Sequence, residues 1–477
     1  MALGFSTKEQ GSRVITMLHK PVKTEAWARH WAKVALKGCL ILLCWAEVSA
    51  EGWKAGFSRT VITPQKPIWM SGYASRDHAA EATRTELWAK AMALEDARGH
   101  RALLITLDLV GVSREVTLPI RSALAKDHGL GMADILINCS HTHTGPVVGE
   151  NLRTMYALDA SHSQAILDYT EWLIDEVITL GIQAVEALRP ASLQYGHAQA
   201  TFATNRRQNP ESLVPAWRAS GRLKGPVDHE VPVLSIRDSE RALIAVVFGY
   251  ACHATVLNDY QWSGDYPGYA QAALERRFEG VQAMFWAGAG ADINPLPRRS
   301  VELAEGYGEE LGVAVASSLK GVMSEVSPTL RTQYTEIDLR FDSLPSPSEL
   351  QKEADSDDPY AAARARKWLK VLDEGGRLPT TYPYPLGMWH LGDHLQWLSM
   401  GGEVVVDYAL KFKKQATQSL WVAGYSHDVM GYIPSRRVWN EGGYEGGGSM
   451  VYYGQPTRWS DAVEKEISEV VESWLKP

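Results

Sequence analysis

Short apolar segments of strand length alternate with longer segments of helical spacing along almost the whole chain from Phe57 onward. The two kinds differ because side chains alternate with period 2 in a strand, whereas one face of a helix recurs every 3.6 residues. The segments of strand type are residues 102–109, 135–139, 233–236, 243–250, 283–286 and 420–423. The segments of helical type are residues 164–187, 270–278, 301–324, 360–372 and 462–475. This alternation predicts an α/β or α+β fold, with mixed sheets flanked by helices.

The composition of the chain is that of a globular protein and argues against one class of partner. Of its 477 residues, 45% are hydrophobic and 22% are charged. The formal net charge is -8, and the body of the chain has no long cluster of Lys and Arg. Because phosphate backbones are bound by a concentrated positive field, we expect no nucleic-acid partner.

The first 50 residues are typical of a secretory signal peptide. Basic residues such as Lys33 precede a short apolar run at residues 39–46, and small residues follow up to Ala50. A basic segment, an apolar run and a small-residue cleavage site are the three parts of such a signal. We therefore predict cleavage after Ala50 and a secreted or periplasmic protein, with translation starting at Met1 or Met17. A non-cleaved anchor is the alternative.

Residues 138–146 place two histidines, His141 and His143, directly after a strand-like run that ends at a Gly-Pro turn. Histidines two apart at the end of a strand project to the same side. Two imidazoles delivered to one point suit a metal site or an acid–base site. The alternative is a pair of hydrogen-bonded histidines in a surface loop.

Other reactive side chains occupy the same kind of position. His253, Asn294 and Glu403 each come shortly after a strand-like run. Taken singly, His253 is more typical of a hydrogen-bonded core histidine, and Glu403 of a carboxylate at the start of a helix. Ligand groups at strand ends are, however, the expected geometry of an active site in an open sheet. Their joint occurrence predicts a single site.

Several short motifs follow one another between Phe57 and Tyr453. They are Trp69-Met70-Ser71-Gly72-Tyr73-Ala74, Ser140-His141-Thr142-His143-Thr144-Gly145-Pro146, Asn205-Arg206, Ala251-Cys252-His253-Ala254-Thr255, Gly264-Asp265-Tyr266-Pro267-Gly268-Tyr269-Ala270, Gly402-Glu403 and Gly431-Tyr432-Ile433. In these motifs the chain resembles the neutral/alkaline, non-lysosomal ceramidase family, in its N-terminal catalytic domain. The second motif is quite specific, and the others gain weight from their order.

The resemblance implies a zinc site formed by His141, His253, Glu403 and Tyr432. Zinc accepts imidazole nitrogen and carboxylate oxygen, and a catalytic site keeps one position open. Zinc lowers the pKa of a bound water to about 7 and polarises a carbonyl oxygen, so that an amide can be attacked near neutral pH.

The resemblance also implies roles for residues around the metal. It makes His143 a proton shuttle or a donor to the developing oxyanion. It puts Arg206 near the substrate, where its charge orients a polar group or steadies negative charge. It makes Tyr444 another polar tyrosine of the site, suited to donate to an oxyanion.

The chain departs from the family at residue 294, where the family's proposed nucleophile is a serine. An amide side chain such as that of Asn294 cannot form a covalent acyl intermediate. It can still donate and accept hydrogen bonds, and so orient a water or a substrate carbonyl. The substitution therefore favours attack by zinc-activated water over an acyl-serine route, and it leaves open a substrate other than ceramide.

A second departure concerns length. Well-known members carry an immunoglobulin-like domain after the catalytic one, whereas we expect residues 51–477 to form a single large catalytic domain without it. Residues 344–385 are polar and rich in proline at both ends, which predicts a surface insertion or a lid over the site. Residues 441–448 are rich in glycine and are interpreted as a flexible loop or a simple surface turn.

Two cysteines lie beside the predicted ligands. Cys139 precedes His141 by two residues, and Cys252 directly precedes His253. If both histidines bind one zinc ion, the thiols are close neighbours. They either form a disulfide or are small buried packing residues, and we favour the second reading.

The function predicted from these motifs is that of a secreted, zinc-dependent hydrolase of an N-acyl bond. Its expected partner is a small-molecule or lipid N-acyl substrate, with peripheral contact to a membrane as an option and the oligomeric state open. Pocket shape rather than zinc sets the bond cleaved, so an ester hydrolase is one alternative. A non-catalytic binding protein, prompted by Asn294, is the other.

Overall fold

Residues 52–476 are described by the computed structural model, and the predicted signal peptide with its cleavage site after Ala50 lies outside them. The strands are β1 (Trp53–Val61), β2 (Ala82–Thr83), β3 (Trp88–Glu95), β4 (Arg101–Leu107), β5 (Ile135–Cys139), β6 (Arg189–Gln199), β7 (Ala203–Asn205), β8 (Glu230–Asp238), β9 (Leu243–Tyr250), β10 (Gln261–Trp262), β11 (Gln282–Ala287), β12 (Ile293–Pro295), β13 (Ser324–Glu325), β14 (Leu330–Arg340), β15 (Thr381–Leu391), β16 (Leu395–Met400), β17 (Glu403–Val404), β18 (Ser419–Ala423) and β19 (Tyr432–Ile433). The helices are α1 (Arg114–His128), α2 (Ala160–Glu186), α3 (Val214–Ala219), α4 (Asp265–Arg277), α5 (Val301–Lys320), α6 (Pro347–Ala354), α7 (Pro359–Asp373), α8 (Val406–Gln415), α9 (Arg436–Glu441) and α10 (Val463–Trp474).

The predicted fold class is confirmed, with mixed sheets flanked by helices. The six predicted strand segments overlap β4, β5, β8, β9, β11 and β18, and the five helical segments overlap α2, α4, α5, α7 and α10. Helix α1 was not predicted. It carries Pro119 in its interior and Ser113 at its N-cap makes no side-chain hydrogen bond, so two of the usual helix signals are missing.

The largest sheet is strongly curled. Its strands follow the order β11-β9-β8-β6-β1-β3-β4-β5, with β13 added beside β6. Its two edge strands nevertheless meet where both end. The main-chain N–H of Ala287 in β11 donates to Oδ1 of Asn138 in β5 (2.8 Å), and Nδ2 of Asn138 donates back to the carbonyl of Ala287 (3.4 Å). The curl thus brings the carboxyl ends of β5, β9 and β11 to one place.

A second sheet, of order β14-β15-β16-β18, packs against the first. A cluster of buried tryptophans joins the two. The ring of Trp286 in β11 lies 5.2 Å from that of Trp397 in β16 and 6.0 Å from that of Trp421 in β18. Large aromatic rings bury much apolar area, so this cluster is a main stabilising contact between the sheets.

Helices cover the remaining faces. Helices α1 and α2 pack on the half formed by β1, β3 and β4, while α4 and α5 pack on β6, β8 and β11. Helix α2 approaches β1 closely at Gly56, where a Cβ would lie 2.1 Å from the carbonyl oxygen of Ala184. Helices α8 and α10 cover the second sheet. Within residues 52–476, no helix has both the length and the apolar character needed to cross a bilayer.

The segment predicted as an insertion or lid, residues 344–385, forms α6, α7 and the first part of β15. Because β15 pairs with β14 from Thr381 onward, the end of this segment belongs to the second sheet. The hydroxyl of Tyr360 in α7 donates to the carbonyl of Ala74 (3.0 Å), and its ring lies 5.0 Å from that of Tyr452. A role as a lid stays a prediction.

Cys139 and Cys252 are free, buried thiols. Burial raises the pKa of both well above the ordinary value of a cysteine. Of the two alternatives, small buried packing residues are the one found, and no disulfide joins them.

Candidate metal centre

The ends of strands bring the predicted ligands together. His141 comes two residues after β5, and its main chain is left-handed, with a φ of 62°. His253 comes three residues after β9, and a parallel bridge joins the two histidine loops side by side. Glu403 and Tyr432 lie directly opposite each other in the parallel pair β17–β19. A short additional pair of strands thus brings the two predicted oxygen ligands beside the two histidines.

These side chains form a buried donor cluster, by which we mean His141, His143, His253, Glu403 and Tyr432. Oε2 of Glu403 lies 3.2 Å from Nε2 of His141 and 3.2 Å from Nε2 of His253. Nε2 of His143 lies 3.1 Å from Nε2 of His141. The hydroxyl oxygen of Tyr432 lies 3.3 Å from Nε2 of His253. All five residues therefore point at one small volume.

The main chain fixes two of the three imidazoles. Nδ1 of His141 lies 2.6 Å from the carbonyl of Val110, and Nδ1 of His253 lies 3.0 Å from the carbonyl of Gly290. A carbonyl only accepts, so each Nδ1 carries a proton and donates it. In the neutral ring this leaves the lone pair on Nε2, directed into the cluster. Metal-binding histidines are usually oriented in this way.

Glu403 is held at one oxygen and open at the other. The hydroxyl of Tyr453 donates to Oε1 of Glu403. Oε2 is buried and has no hydrogen-bond partner within residues 52–476. Burial alone would raise the pKa of this carboxyl, but the facing imidazoles of His141 and His253 hold the pKa well below its usual value. A buried, ionised carboxylate oxygen without a hydrogen-bond partner is suited to bind a cation.

The donor set fits a metal ion. Nitrogen atoms of His141, His143 and His253 lie within 4.8 Å of one another. Burial, followed by the charge of Arg206, lowers the pKa of His253 to about 4, so its ring is neutral near pH 7 and can act as a ligand. Imidazole nitrogens with one carboxylate oxygen are typical ligands of zinc and of other transition metals. The unpartnered Oε2 of Glu403 at their centre is the atom that such an ion satisfies.

His143 differs from the other two histidines. Its Nδ1 has no hydrogen-bond partner in the described part of the chain. Gly72, with a φ of +100°, lies against its ring, and a Cβ there would come within 2.5 Å of Nδ1. Burial, together with the other two imidazoles, lowers the pKa of His143 well below its usual value. The neutral ring of His143 therefore lines the cavity beside the cluster, with its unpartnered Nδ1 packed against Gly72.

Arg206 connects the cluster to its surroundings. Its Nη2 donates to the hydroxyl oxygen of Tyr432 (3.0 Å), and its Nε donates to Oε1 of Glu445 (2.7 Å). Burial opposes its charge, but Tyr432 and Glu445 raise the pKa of the guanidinium well above its usual value. The phenol of Tyr432 stays neutral, because burial and the nearby carboxylate of Glu403 raise its pKa.

Asn294 presents its amide N–H groups to the cavity. Nη1 of Arg206 lies 3.2 Å from Oδ1 of Asn294. An arginine only donates, so the atom that faces it must be the carbonyl oxygen, and Nδ2 must point the other way. No hydrogen bond within residues 52–476 uses Nδ2. Strand β12, which carries Asn294, pairs with β7 just before Arg206, and this pairing sets the contact.

A cavity of about 560 Å³ opens beside the cluster. Its lining includes His143, Asn294, Tyr432 and the partly exposed Tyr444. Five charged residues also line the cavity, and we call them the charged wall: Arg206, Arg207, Glu211, Arg298 and Glu445. A site with ligand donors at its floor and an open cavity above suits a reaction on a bound small molecule.

The structure brings seven of the eight predicted site residues into direct contact, and Tyr444 lies at the mouth with its ring 5.2 Å from that of Tyr432. Sequence reasoning missed Tyr453, Glu445 and Thr255. Thr255 stood inside a recognised motif, and Glu445 stood inside the glycine-rich segment, so both had a weak signal. Tyr453 had none, because its contact with Glu403 depends on how the chain returns after α9.

A family model described as neutral/alkaline non-lysosomal ceramidase, N-terminal, matches residues 53–336. Among curated proteins, "Neutral ceramidase" of Pseudomonas aeruginosa is 25% identical over 275 residues, which cover 54% of this chain and 40% of that protein. "Neutral ceramidase 1" of Arabidopsis thaliana is 24% identical over 254 residues, which cover 52% of this chain and 32% of that protein. The matched region thus spans less than half the length of these relatives.

Solved structures show the same fold. The crystal structure of neutral ceramidase from Pseudomonas aeruginosa superposes with a TM-score of 0.68 at 18% identity, covering 88% of this chain and 73% of that one. A structure titled as ceramidase complexed with C2 superposes with a TM-score of 0.67 at 17% identity. The common fold extends well beyond residue 336, the end of the sequence match.

Proposed function

Because this chain belongs to the neutral/alkaline non-lysosomal ceramidase family, we propose that it is a zinc-dependent hydrolase of an N-acyl amide bond. The observation that carries this proposal is the donor cluster, in which the unpartnered Oε2 of Glu403 lies between two imidazole nitrogens. The relatives named neutral ceramidase support hydrolysis of an amide of the ceramide type.

In this proposal His141, His253, Glu403 and Tyr432 hold the metal. When bound, zinc polarises the amide carbonyl and lowers the pKa of a water to about 7. The main-chain carbonyls that accept from Nδ1 of His141 and His253 keep both rings in the tautomer whose Nε2 can bind a metal. Tyr453 keeps Glu403 turned so that Oε2 faces the histidines.

Asn294 and Tyr444 bind the reacting amide. The amide carbonyl oxygen gains negative charge as water attacks, and a donor already in position stabilises it. Nδ2 of Asn294 is such a donor, because Arg206 occupies its carbonyl side. Tyr444 also lines the cavity and offers a second hydroxyl donor. Without a serine at residue 294, hydrolysis by direct attack of water is the route that these side chains serve.

His143 moves the proton. A neutral imidazole takes a proton on one nitrogen and can release it from the same ring to the departing amine. His143 lines the cavity, and its Nδ1 is not engaged by the protein within residues 52–476. Arg206 does not react itself, but its hydrogen bonds orient the side chains of Asn294 and Tyr432.

The test is purified protein assayed for metal and for turnover. We expect one zinc per chain by elemental analysis, release of free amine from N-acyl substrates, loss of activity on chelation and recovery on adding zinc. Zinc binding without turnover of any amide or ester would instead support the non-catalytic reading prompted by Asn294. Turnover of esters but not of amides would identify the ester hydrolase alternative.

We also propose that the protein is exported, with peripheral membrane contact if its substrate is a lipid. The proposal rests on the basic, apolar and small-residue parts of the first 50 residues. Expression of the full chain in a bacterial host, followed by N-terminal sequencing of the extracytoplasmic protein, tests it. A mature chain starting at Glu51 is expected, and an intact chain in the cytoplasm contradicts it.

A further inference from the structure

We infer that the cavity beside the donor cluster takes a small, polar N-acyl compound with a short acyl group, in place of a lipid with long alkyl chains. This inference rests on the proposed amide hydrolysis and names its substrate class. Two kinds of amine carry the required chemistry, an amino sugar and an amino acid, since both surround the amide with hydroxyl or carboxyl groups.

The first argument is the make-up of the cavity wall. Within residues 52–476, the aliphatic side chains that line it are those of Pro210 and Leu296, and Leu296 is only 1% exposed. The charged wall supplies three guanidinium groups and two carboxylates instead. A volume of about 560 Å³ is typical of a site for a compact small molecule.

The second argument concerns the charges themselves. Nη2 of Arg298 lies 2.9 Å from Oε2 of Glu211, and Glu445 bridges Arg206 and Arg207 through its two oxygens. An alkyl chain laid on these pairs would strip water from them without offering hydrogen bonds in return. It would also gain little, because burial of methylene groups is favourable only against apolar surface. Hydroxyl and amide groups replace the lost water and avoid this cost.

The third argument is two side chains that line the cavity, each with one buried polar atom that the described residues leave unpaired. Thr255 is 2% exposed and lines the cavity, and its Oγ1 has no hydrogen-bond partner in the described residues. The same holds for Nδ1 of His143. Buried polar atoms are normally satisfied, and polar groups on a ligand in this cavity would supply the missing partners. A site of this kind discriminates strongly against analogues that lack those groups.

An apolar hollow of similar size exists elsewhere and does not help a lipid chain reach the cluster. It is about 560 Å³ and includes Ile68, Tyr169 and Trp172 in its lining. No residue lines both cavities. This apolar hollow is therefore separate from the reacting site.

The experiment compares four substrates on the zinc-loaded full chain: an N-acetyl amino sugar, an N-acetyl amino acid, and N-acylsphingosines with two-carbon and sixteen-carbon acyl groups in detergent micelles. Amine release gives kcat/KM, and calorimetry gives binding. We expect kcat/KM for one of the two polar substrates to exceed that for the sixteen-carbon lipid by about 100-fold or more. The better of the two polar substrates identifies the amine. Equal or better hydrolysis of the sixteen-carbon lipid overturns the inference.

Binding separates this inference from the proposed function. A polar amide that binds in the cavity without being hydrolysed supports the substrate class and contradicts the hydrolase. Absence of both binding and turnover for the two polar arms, in protein that is folded and loaded, overturns the substrate class.

Variants sharpen the same test. Thr255→Val keeps the shape and removes the unpaired hydroxyl, and we expect about a 10-fold or greater loss of kcat/KM on the preferred polar substrate. Thr117→Val is the matched control, since Thr117 is equally buried, at 2% exposed, but lies in α1 away from the cavity. The double variant Glu211→Leu with Arg298→Met turns part of the wall apolar and should shift preference toward the longer acyl chain. An unchanged preference in both variants counts against the inference.

Discussion

The donor cluster and the charged wall adjoin each other in one site, yet different forces hold them. His141 and His253 are fixed by main-chain carbonyls at the ends of strands. The wall is held by ion pairs between side chains on loops, with Glu445 shared by Arg206 and Arg207. A main-chain contact follows from the fold and cannot be removed by a single substitution, whereas an ion pair can. We therefore expect the chemistry to depend on the scaffold and the substrate on the wall.

The largest effect should come from removing a member of the donor cluster. His253→Ala deletes a nitrogen ligand, and we expect loss of bound zinc and of activity below detection, because a catalytic site needs all its protein ligands. Elemental analysis and amine release measure this. His197→Ala, on the exposed face of β6, is the control and should keep both. A His253→Ala protein with full zinc and turnover would remove the basis for assigning the cluster to metal.

Asn294 contacts Arg206 of the charged wall and lines the cavity beside the donor cluster, so it tests whether the two regions act separately. Asn294→Ala should lower kcat by about 10²–10³-fold, the usual cost of losing one oxyanion donor. Zinc content should not change, because the side chain is not a proposed ligand. Asn440→Ala, in the exposed part of α9, serves as the matched control. Loss of zinc in Asn294→Ala would mean that the cluster and the wall are not separable here.

Tyr453 tests whether the cluster depends on its supporting contacts. Tyr453→Phe removes the hydroxyl that donates to Glu403. We expect zinc affinity to fall by about 10–100-fold, as is typical for the partner of a metal ligand. Competition with a chromophoric chelator gives the affinity. The neighbouring Tyr452→Phe should leave it unchanged, since Tyr452 instead packs on Tyr360, and equal losses in both variants would argue for a general packing effect.

The smallest effect concerns stability of the wall and its pH dependence. Burial opposes the charge of Glu445, but Arg206 and its other partners lower the pKa of its carboxyl below the ordinary 4.5. A lowered folded-state pKa contributes stability above the unfolded value, and this contribution is lost as the pH falls through the folded-state pKa. Glu445→Gln should therefore cost about 2 kcal/mol at pH 7 and progressively less as the pH falls below 4.5.

Urea unfolding at several pH values measures this difference. The exposed Glu374→Gln should have little effect at any pH. If Glu445→Gln lowered the free energy of unfolding by the same amount at every pH down to the acid limit, the ion pairs of the wall would not be what stabilises the folded protein.

Much of the fold could be predicted because its elements carry local signals. Strands such as β9 and β11 are short apolar runs, and α5 repeats apolar residues at helical spacing. The curl of the large sheet could not be predicted in this way. It depends on Asn138 in β5 meeting Ala287 in β11, two residues far apart in the chain whose contact no periodicity records.

For the site, residue types and order identified the candidate ligands, and geometry assigned their surroundings. The motif around His141 and His143 predicted two imidazoles at one point, which the structure bears out at 3.1 Å between their Nε2 atoms. The difference between them comes from Val110, a residue outside the motif whose carbonyl fixes only His141. Likewise, the role of Tyr453 is seen only in the folded chain, where its hydroxyl meets the carboxylate of Glu403.

The sequence by itself determined the class of fold and the set of polar side chains that follow its strands, because both are encoded in local patterns of a few residues. Only the tertiary structure decided which nitrogen of each histidine points inward, which way the amide of Asn294 faces, and that the adjoining cavity is walled by paired charges. These depend on contacts between segments distant in the chain. Hydrogen-bond direction and burial are set by the partner that a side chain meets, and the fold alone chooses that partner.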